Sequence, residues 1–229
     1  MRVELLHHTP LFVCAKAIRK CWASEDKSDT LKSKDAPSME EAGKRLKYDY
    51  IGEKDRELVD RVGNKNKHSS VLRHLNYTFE IQGISTKTLL AFTRHKVGIE
   101  FSVQSTRYTT KKRREYLQFT ETSNTSINKM LQDIMDIVDL AIEKGFSNDD
   151  ISMLLPQAYQ YSCVVTMNAQ AIQHFLELRI NQKHAHWDIV KLAEEIAIKI
   201  PKEHKYIYLD TIEKCGNTEF KEIFLNSML

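Results

Sequence analysis

From Leu75 to Ile81 the chain sets Leu75, Tyr77, Phe79 and Ile81 between polar neighbours. An alternation of period two has one economical solution, a strand with one face in a core and the other toward solvent. Such a strand needs partners, and most of the remaining sequence reads as helix. Val3 to Leu6 reads as a short strand, and Thr9-Pro10 opens a helix whose Leu11, Ala15, Ile18 and Trp22 share a face, proline being tolerated in a first turn where its missing N–H has no partner. DRELVDRVGNK, from Asp55, predicts a helix closed by Gly63. Ser85 caps TKTLLAFTRHK, which offers Leu89, Leu90 and Phe92 for packing and leaves Arg94 and His95 at its C-terminal end. VGIEFSVQSTRY reads as a loop or irregular strand. Ser126 opens an amphipathic helix carrying Ile127, Met130, Leu131, Ile134, Ile137, Val138 and Ala141, ending at Gly145. Another begins near Ser147 and is interrupted by Pro156. Cys163 to Met167 is strand-like, and Ala169 to about Ile200 is helical apart from a break near His184, until Pro201 stops it. With no internal repeat and no interdomain linker, the expectation is one α+β domain over residues 1–229, with helices around one small sheet and a polar surface insertion at 24–54.

Composition removes several function classes. At 41% hydrophobic and 28% charged, the chain is not dominated by disorder, and no run approaches the roughly 18 apolar residues of a membrane span. The N-terminal stretch has no uninterrupted apolar core behind a basic head, so no signal peptide is expected and the default location is cytoplasmic. A net charge of +3 is too small for a dedicated duplex-binding surface, whereas small anionic ligands remain open. Cys14, Cys21, Cys163 and Cys215 are far apart and read as reduced, partly buried thiols. There is no Gly-rich phosphate loop, nucleophile elbow or His-Glu-x-x-His, and His184 with His186 lack further ligands, so no metal is expected. The basic run Lys111 to Arg114 lacks aromatic interleaving and reads as a solvated face, not a nucleic-acid grip.

Three segments concentrate polar residues beyond what packing requires: Lys67 to Ser70, Arg94-His95-Lys96 through Ser105 to Tyr108, and Asn168 to Arg179. Guanidinium and hydroxyl groups in proximity suit phosphate oxygens, which take charge-assisted bonds from the first and complete their shell with the second. Each segment alone also fits solvated charges and helix caps. On a helix from Asn168, Ile172, Phe175, Leu176 and Leu178 supply core contacts, and Asn168, Gln170, His174 and Arg179 lie off that stripe.

Taken together the segments resemble the flavin-dependent thymidylate synthases. That family carries Arg-His-Arg, seven residues, then Ser, finishing in Ser-x-Arg-Tyr; here Arg94-His95-Lys96 is followed by eight residues and Ser105-Thr106-Arg107-Tyr108. Asn168 to Arg179 and His184-Ala185-His186-Trp187-Asp188-Ile189 are similar to two further family segments in the same order, and Lys67 to His74 upstream is similar to another. Leu155-Pro156-Gln157 resembles the turn before the family's last long helix. The resemblance implies a central, mainly antiparallel sheet flanked by helices and a homotetramer with shared active sites. It also implies conversion of dUMP to dTMP, with methylenetetrahydrofolate as carbon donor, FAD as hydride carrier and NADPH as reductant, without nucleic-acid or membrane partners. By matching position, Ser70, Arg94, His95, Lys96, Asn168, Gln170 and His174 would face the flavin. Arg94, Gln104, Ser105, Thr106, Arg107 and Arg179 would hold the pyrimidine nucleotide, with Arg179 as the catalytic arginine. The chain departs from the pattern at Lys96 and Gln170, where the family has arginine, at Arg73, where it has glutamate, at Ser152, where it has a basic residue, and in the extra residue before Ser105. These departures keep two alternatives open: a relative modifying C5 of another pyrimidine nucleotide, and a non-catalytic nucleotide- or RNA-binding relative.

Overall fold

The computed structural model describes residues 1–30, 51–66, 68–112 and 118–229. Its centre is a four-stranded antiparallel sheet in the order β1-β2-β4-β3, with β1 at Arg2–His8, β2 at Asn76–Ser85, β3 at Ile99–Val103 and β4 at Gln160–Asn168. The two central strands set the fold. Tyr77, Phe79 and Ile81 of β2 and Cys163, Val165 and Met167 of β4 point into one face and are buried, while Thr78 and Thr166 meet hydroxyl to hydroxyl at 3.0 Å on the other. Sheets with one packed and one polar face read as alternation in sequence, which is why β2 was legible. It runs further than Ile81 because Gly83, at φ +77°, breaks the register between Gln82 and Ile84 as a bulge and returns Ile84 to the core.

Helices cover the apolar face. In chain order α1 is Leu11–Cys21, α2 Glu53–Val59, α3 Thr86–Phe92, α4 Thr106–Thr109, α5 Thr125–Glu143, α6 Asn148–Ser152, α7 Ala169–Ile180 and α8 Trp187–Lys199. Ile172, Phe175 and Leu176 of α7 and Ile189, Leu192, Ala193 and Ile196 of α8 join the strand residues in one continuous core. Burying a side chain of this size contributes roughly 1.5–3 kcal/mol. Ser85 caps α3 as expected, its hydroxyl accepting from the Thr88 N–H at 3.1 Å. Its own O–H and that of Thr88 donate to the buried Asp188 carboxylate, which joins α3 to the first turn of α8.

Several expectations are corrected. α1 ends at Cys21, so Trp22 leaves the buried face and is 71% exposed. Gly63 does not stop a helix: α2 continues into a wider turn over Asp60–Lys65, and a Cβ at Gly63 would lie 2.8 Å from Leu72 Cδ2, so glycine serves a close approach. VGIEFSVQSTRY contains a regular strand, β3, and then α4. The cap of α5 is Asn124, whose Oδ1 accepts from Ser126 and Ile127. On α5, Val138 and Ala141 pack with Ile151 in a small second core, but Ile127, Met130, Ile134 and Ile137 are exposed, as is Leu90 on α3. The Leu155–Gln157 turn leads into β4 and reaches α7 only through it. The break near His184 is present, and His186 caps α8. Cys14, Cys163 and Cys215 are buried and Cys21 is exposed; burial raises the Cys14 thiol to about 12 and Cys163 to about 11, leaving neither as a nucleophile near neutrality.

Most of the expected 24–54 insertion, and Lys67, Arg113 and Arg114, lie outside the described residues. The parts of the insertion that are described are tied down, since Ser28 and Thr30 both donate to Asp55. No helix among the described residues is long and apolar enough to cross a membrane, and no group of three or more His, Cys, Asp or Glu there is placed to hold a metal ion.

Candidate functional site

The site forms where β4 turns into α7. Asn168 is both the last residue of β4 and the cap of α7: its N–H donates to Gly98 O at 3.0 Å and its Oδ1 accepts from Ala171 N at 2.9 Å. Gly98 lies at φ +73°, and a Cβ there would come within 2.1 Å of Asn168 Nδ2. Only glycine allows the turn after α3 to meet the start of α7 this closely. Arg94, His95 and Lys96 occupy that turn, so the Gly98–Asn168 contact brings them opposite Gln170, His174 and Arg179.

The result is a cleft of about 650 Å³ lined by Arg94, His95, Lys96, Asn168, Gln170, His174 and Arg179, together with Arg73, Val97, Ile99, Ala171 and Leu178. Three sides of its chemistry are notable. Its charge is one-sided: Arg73, Arg94, Lys96 and Arg179 line it, and no aspartate or glutamate is among the described lining residues. Arg179 donates from a terminal nitrogen to His95 Nε2 at 2.8 Å, and its buried Nε has no partner among the described residues. Gln170 bridges, its amide nitrogen donating to Ser69 Oγ at 2.7 Å and its oxygen accepting from Arg73 Nε at 2.5 Å.

The Arg179–His95 pair fixes a protonation state. Guanidinium has no acceptor, so His95 Nε2 must offer its lone pair, which makes the ring the neutral Nδ1–H tautomer. Burial first, then the charges of Arg179, His174 and Arg94, lower the His95 value to about 4. The ring is held edge-on by Phe175 at 5.1 Å and lies 6.1 Å from His174. Burial and then Arg94 also lower Arg179 from its ordinary value, which leaves it cationic at neutral pH. Because His95 binds its proton less readily here than in an unfolded chain, the stability it contributes is full above about pH 6.5 and is lost as the pH falls toward 4. Imidazole NMR across that range will show Nε2 unprotonated down to about pH 4–5; a midpoint near 6.5 would refute the Arg179 bond.

Not every expected residue reaches this cleft. Ser70 is exposed beside it, and its neighbour Ser69 makes the contact to Gln170. Gln104, Ser105, Thr106 and Arg107 lie beyond the opposite end of β3: Gln104 N bonds Ser162 O, whereas Gly98 O bonds Asn168 N. The ladder between those two bonds spans roughly 20 Å at about 3.3 Å per residue. There Gln104 donates to Thr109 Oγ1, Arg107 pairs with Asp149 at 3.2 Å in the open, and Ser152 Oγ donates to Asp149 O. Arg73 lines the cleft although the sequence marks it only as a departure; no sequence-local signal places it next to Gln170.

The family model for the thymidylate synthase complementing protein matches residues 4–204. The chain belongs to the flavin-dependent thymidylate synthase family. It is 41% identical over 224 residues to the flavin-dependent thymidylate synthase of Wolinella succinogenes, covering 91% of this chain and 97% of that one. It is 38% identical over 231 residues to that of Campylobacter jejuni, covering 93% and 99%. The crystal structure of thymidylate synthase X from Helicobacter pylori with FAD and dUMP superposes with a TM-score of 0.77 at 30% identity, over 92% of this chain and 98% of that one. The α+β architecture with its central antiparallel sheet is thus the family's own.

Proposed function

We propose that this protein is a flavin-dependent thymidylate synthase, converting dUMP to dTMP with methylenetetrahydrofolate as carbon donor, FAD as hydride carrier and NADPH as reductant. The observation that carries the reading is the cleft in which Arg94, His95 and Lys96 meet Gln170, His174 and Arg179, with no aspartate or glutamate among its described lining residues. Such a donor set suits the phosphates of a dinucleotide, and the buried Nε of Arg179, without a partner among the described residues, is a donor suited to an acceptor. When bound, the flavin would supply the hydride chemistry; the chain supplies orientation and charge. In this reading Arg94, His95, Lys96, Asn168, Gln170 and His174 hold the cofactor in the cleft, and Ser70, exposed beside it, meets a part of the cofactor that extends beyond the lining. Arg179 stabilises the negative charge that develops on the uracil as C5 becomes nucleophilic, and neutral His95 keeps the guanidinium aimed without competing for its charge.

The pyrimidine nucleotide also needs Gln104, Ser105, Thr106 and Arg107, which one copy holds far from its own Arg179. A neighbouring copy would bring them, and the exposed apolar stripe of Ile127, Met130, Ile134 and Ile137 on α5 gives such an assembly a surface to bury. A homotetramer with shared sites satisfies both observations.

The test is spectroscopic. Purified protein supplied with FAD will show flavin absorption bands. After anaerobic reduction, methylenetetrahydrofolate with dUMP will reoxidise the flavin and yield dTMP. Reoxidation with UMP alone would move the substrate to another pyrimidine nucleotide, and absence of flavin binding would refute the reading.

A further inference from the structure

Arg73 sits at the end of the short 3-10 segment Ser69–His74, immediately before β2, and is exposed at the cleft. Its Nε is committed to Gln170 Oε1 at 2.5 Å, and Gln170 is itself oriented by Ser69 through the bond from its amide nitrogen. This chain of two bonds aligns the guanidinium and uses only one of its donors. The two terminal nitrogens have no hydrogen bond or ion pair to any described residue. An arginine tethered by a neutral amide keeps its full charge and its fork for something else, whereas a carboxylate at position 170 would have consumed both. The lining of the cleft offers no acid to take that role.

We infer that Arg73 is a phosphate-binding residue of the cofactor site, its terminal nitrogens donating to an oxygen of the flavin dinucleotide's diphosphate, with Gln170 as its positioning residue. The inference rests on the reading of the cleft as a flavin site. It also accounts for two departures of the sequence at once, since Gln170, the shorter neutral side chain on α7, holds in place a guanidinium supplied from the opposite wall. The site keeps an arginine fork at this point, with its origin changed.

The experiment is FAD titration of the apoprotein, followed by flavin fluorescence, for the wild type, Arg73→Gln and Arg73→Lys, each with a thermal melt and a salt series. Arg73→Gln will weaken FAD binding roughly ten- to a hundredfold, the range of a lost charge-assisted hydrogen bond. Its melting temperature will match the wild type, Arg73→Lys will recover part of the loss, and the gap between variant and wild type will narrow as salt screens the charge. An Arg73→Gln affinity within about twofold of wild type overturns the inference and leaves the flavin reading standing. So does a loss that is independent of salt, shared equally by Arg73→Lys and accompanied by a lower melting temperature, because that is the signature of a structural role. Wild-type protein that takes up no FAD overturns the flavin reading and this inference with it.

Discussion

Arg179→Ala will lower the turnover number for dTMP formation by roughly two to three orders of magnitude, the usual effect of removing a donor aimed at developing charge. Flavin binding and the melting temperature will change little. Arg179 holds its charge in a partly desolvated position beside Arg94, which is why its value is lowered, and its Nε is buried without a partner among the described residues. Removing it relieves an unfavourable arrangement and leaves His95 still packed against Phe175. Arg179→Lys keeps a cation but not the fork, so it will recover only part of the rate. The split between constants is decisive. A residue that acts on the transition state lowers kcat, whereas one that only binds nucleotide raises KM with kcat unchanged. The second result would remove Arg179 from the catalytic role and leave it a binding residue.

The legible parts of this fold are those in which local pattern and final environment coincide. β2 alternates because its other face is polar, Ser85 caps α3 by a local bond, and His186 caps α8 after the expected break. The α5 helix was legible as a helix but not in its burial. Its apolar spacing describes two faces, one on the small core of Val138, Ala141 and Ile151, the other exposed in the single copy. β3 reads no more sharply than a loop or irregular strand because it is short and, of its alternating Ile99, Phe101 and Val103, only Ile99 is buried. Within the site, residues on one segment were readable, but relations between segments were not. Arg73 and Gln170 lie far apart in sequence, and so do Arg179 and His95; the first bond follows from the β2–β4 register that sets Asn76 opposite Asn168, the second from Gly98 admitting Asn168. Position by position, Arg73 and Gln170 are two separate departures from the family pattern, whereas the fold makes them one hydrogen-bonded pair.

The largest effect on stability is expected from a carboxylate outside the cleft. Asp55, in α2, is 2% exposed at its side chain and accepts from Ser28 Oγ at 2.5 Å, Thr30 Oγ1 at 2.6 Å and the Arg19 guanidinium at 2.8 Å. Burial pushes its carboxyl up, but the hydroxyl donors and Arg19 outweigh burial and hold it below the ordinary value. Asp55→Ala leaves Arg19 a buried charge without its partner, which costs about 3–5 kcal/mol and lowers the melting temperature by about 10 °C in a chain of this size. Arg19→Met with Asp55→Leu will be milder than Asp55→Ala alone, because removing both charges removes both desolvation costs. The pH dependence has a fixed sign. With the folded-state value depressed, the stability from Asp55 is fully present above the unfolded value of about 3.9 and is lost as the pH falls through the folded one. Below pH 4 the wild type will therefore lose stability more steeply than Asp55→Asn, which has no carboxylate to protonate. Urea unfolding at neutral and acid pH measures both effects, and an Asp55→Ala protein within about 1 kcal/mol of wild type at neutral pH would show that the three donors find other partners and that this cluster does not anchor α1 to α2.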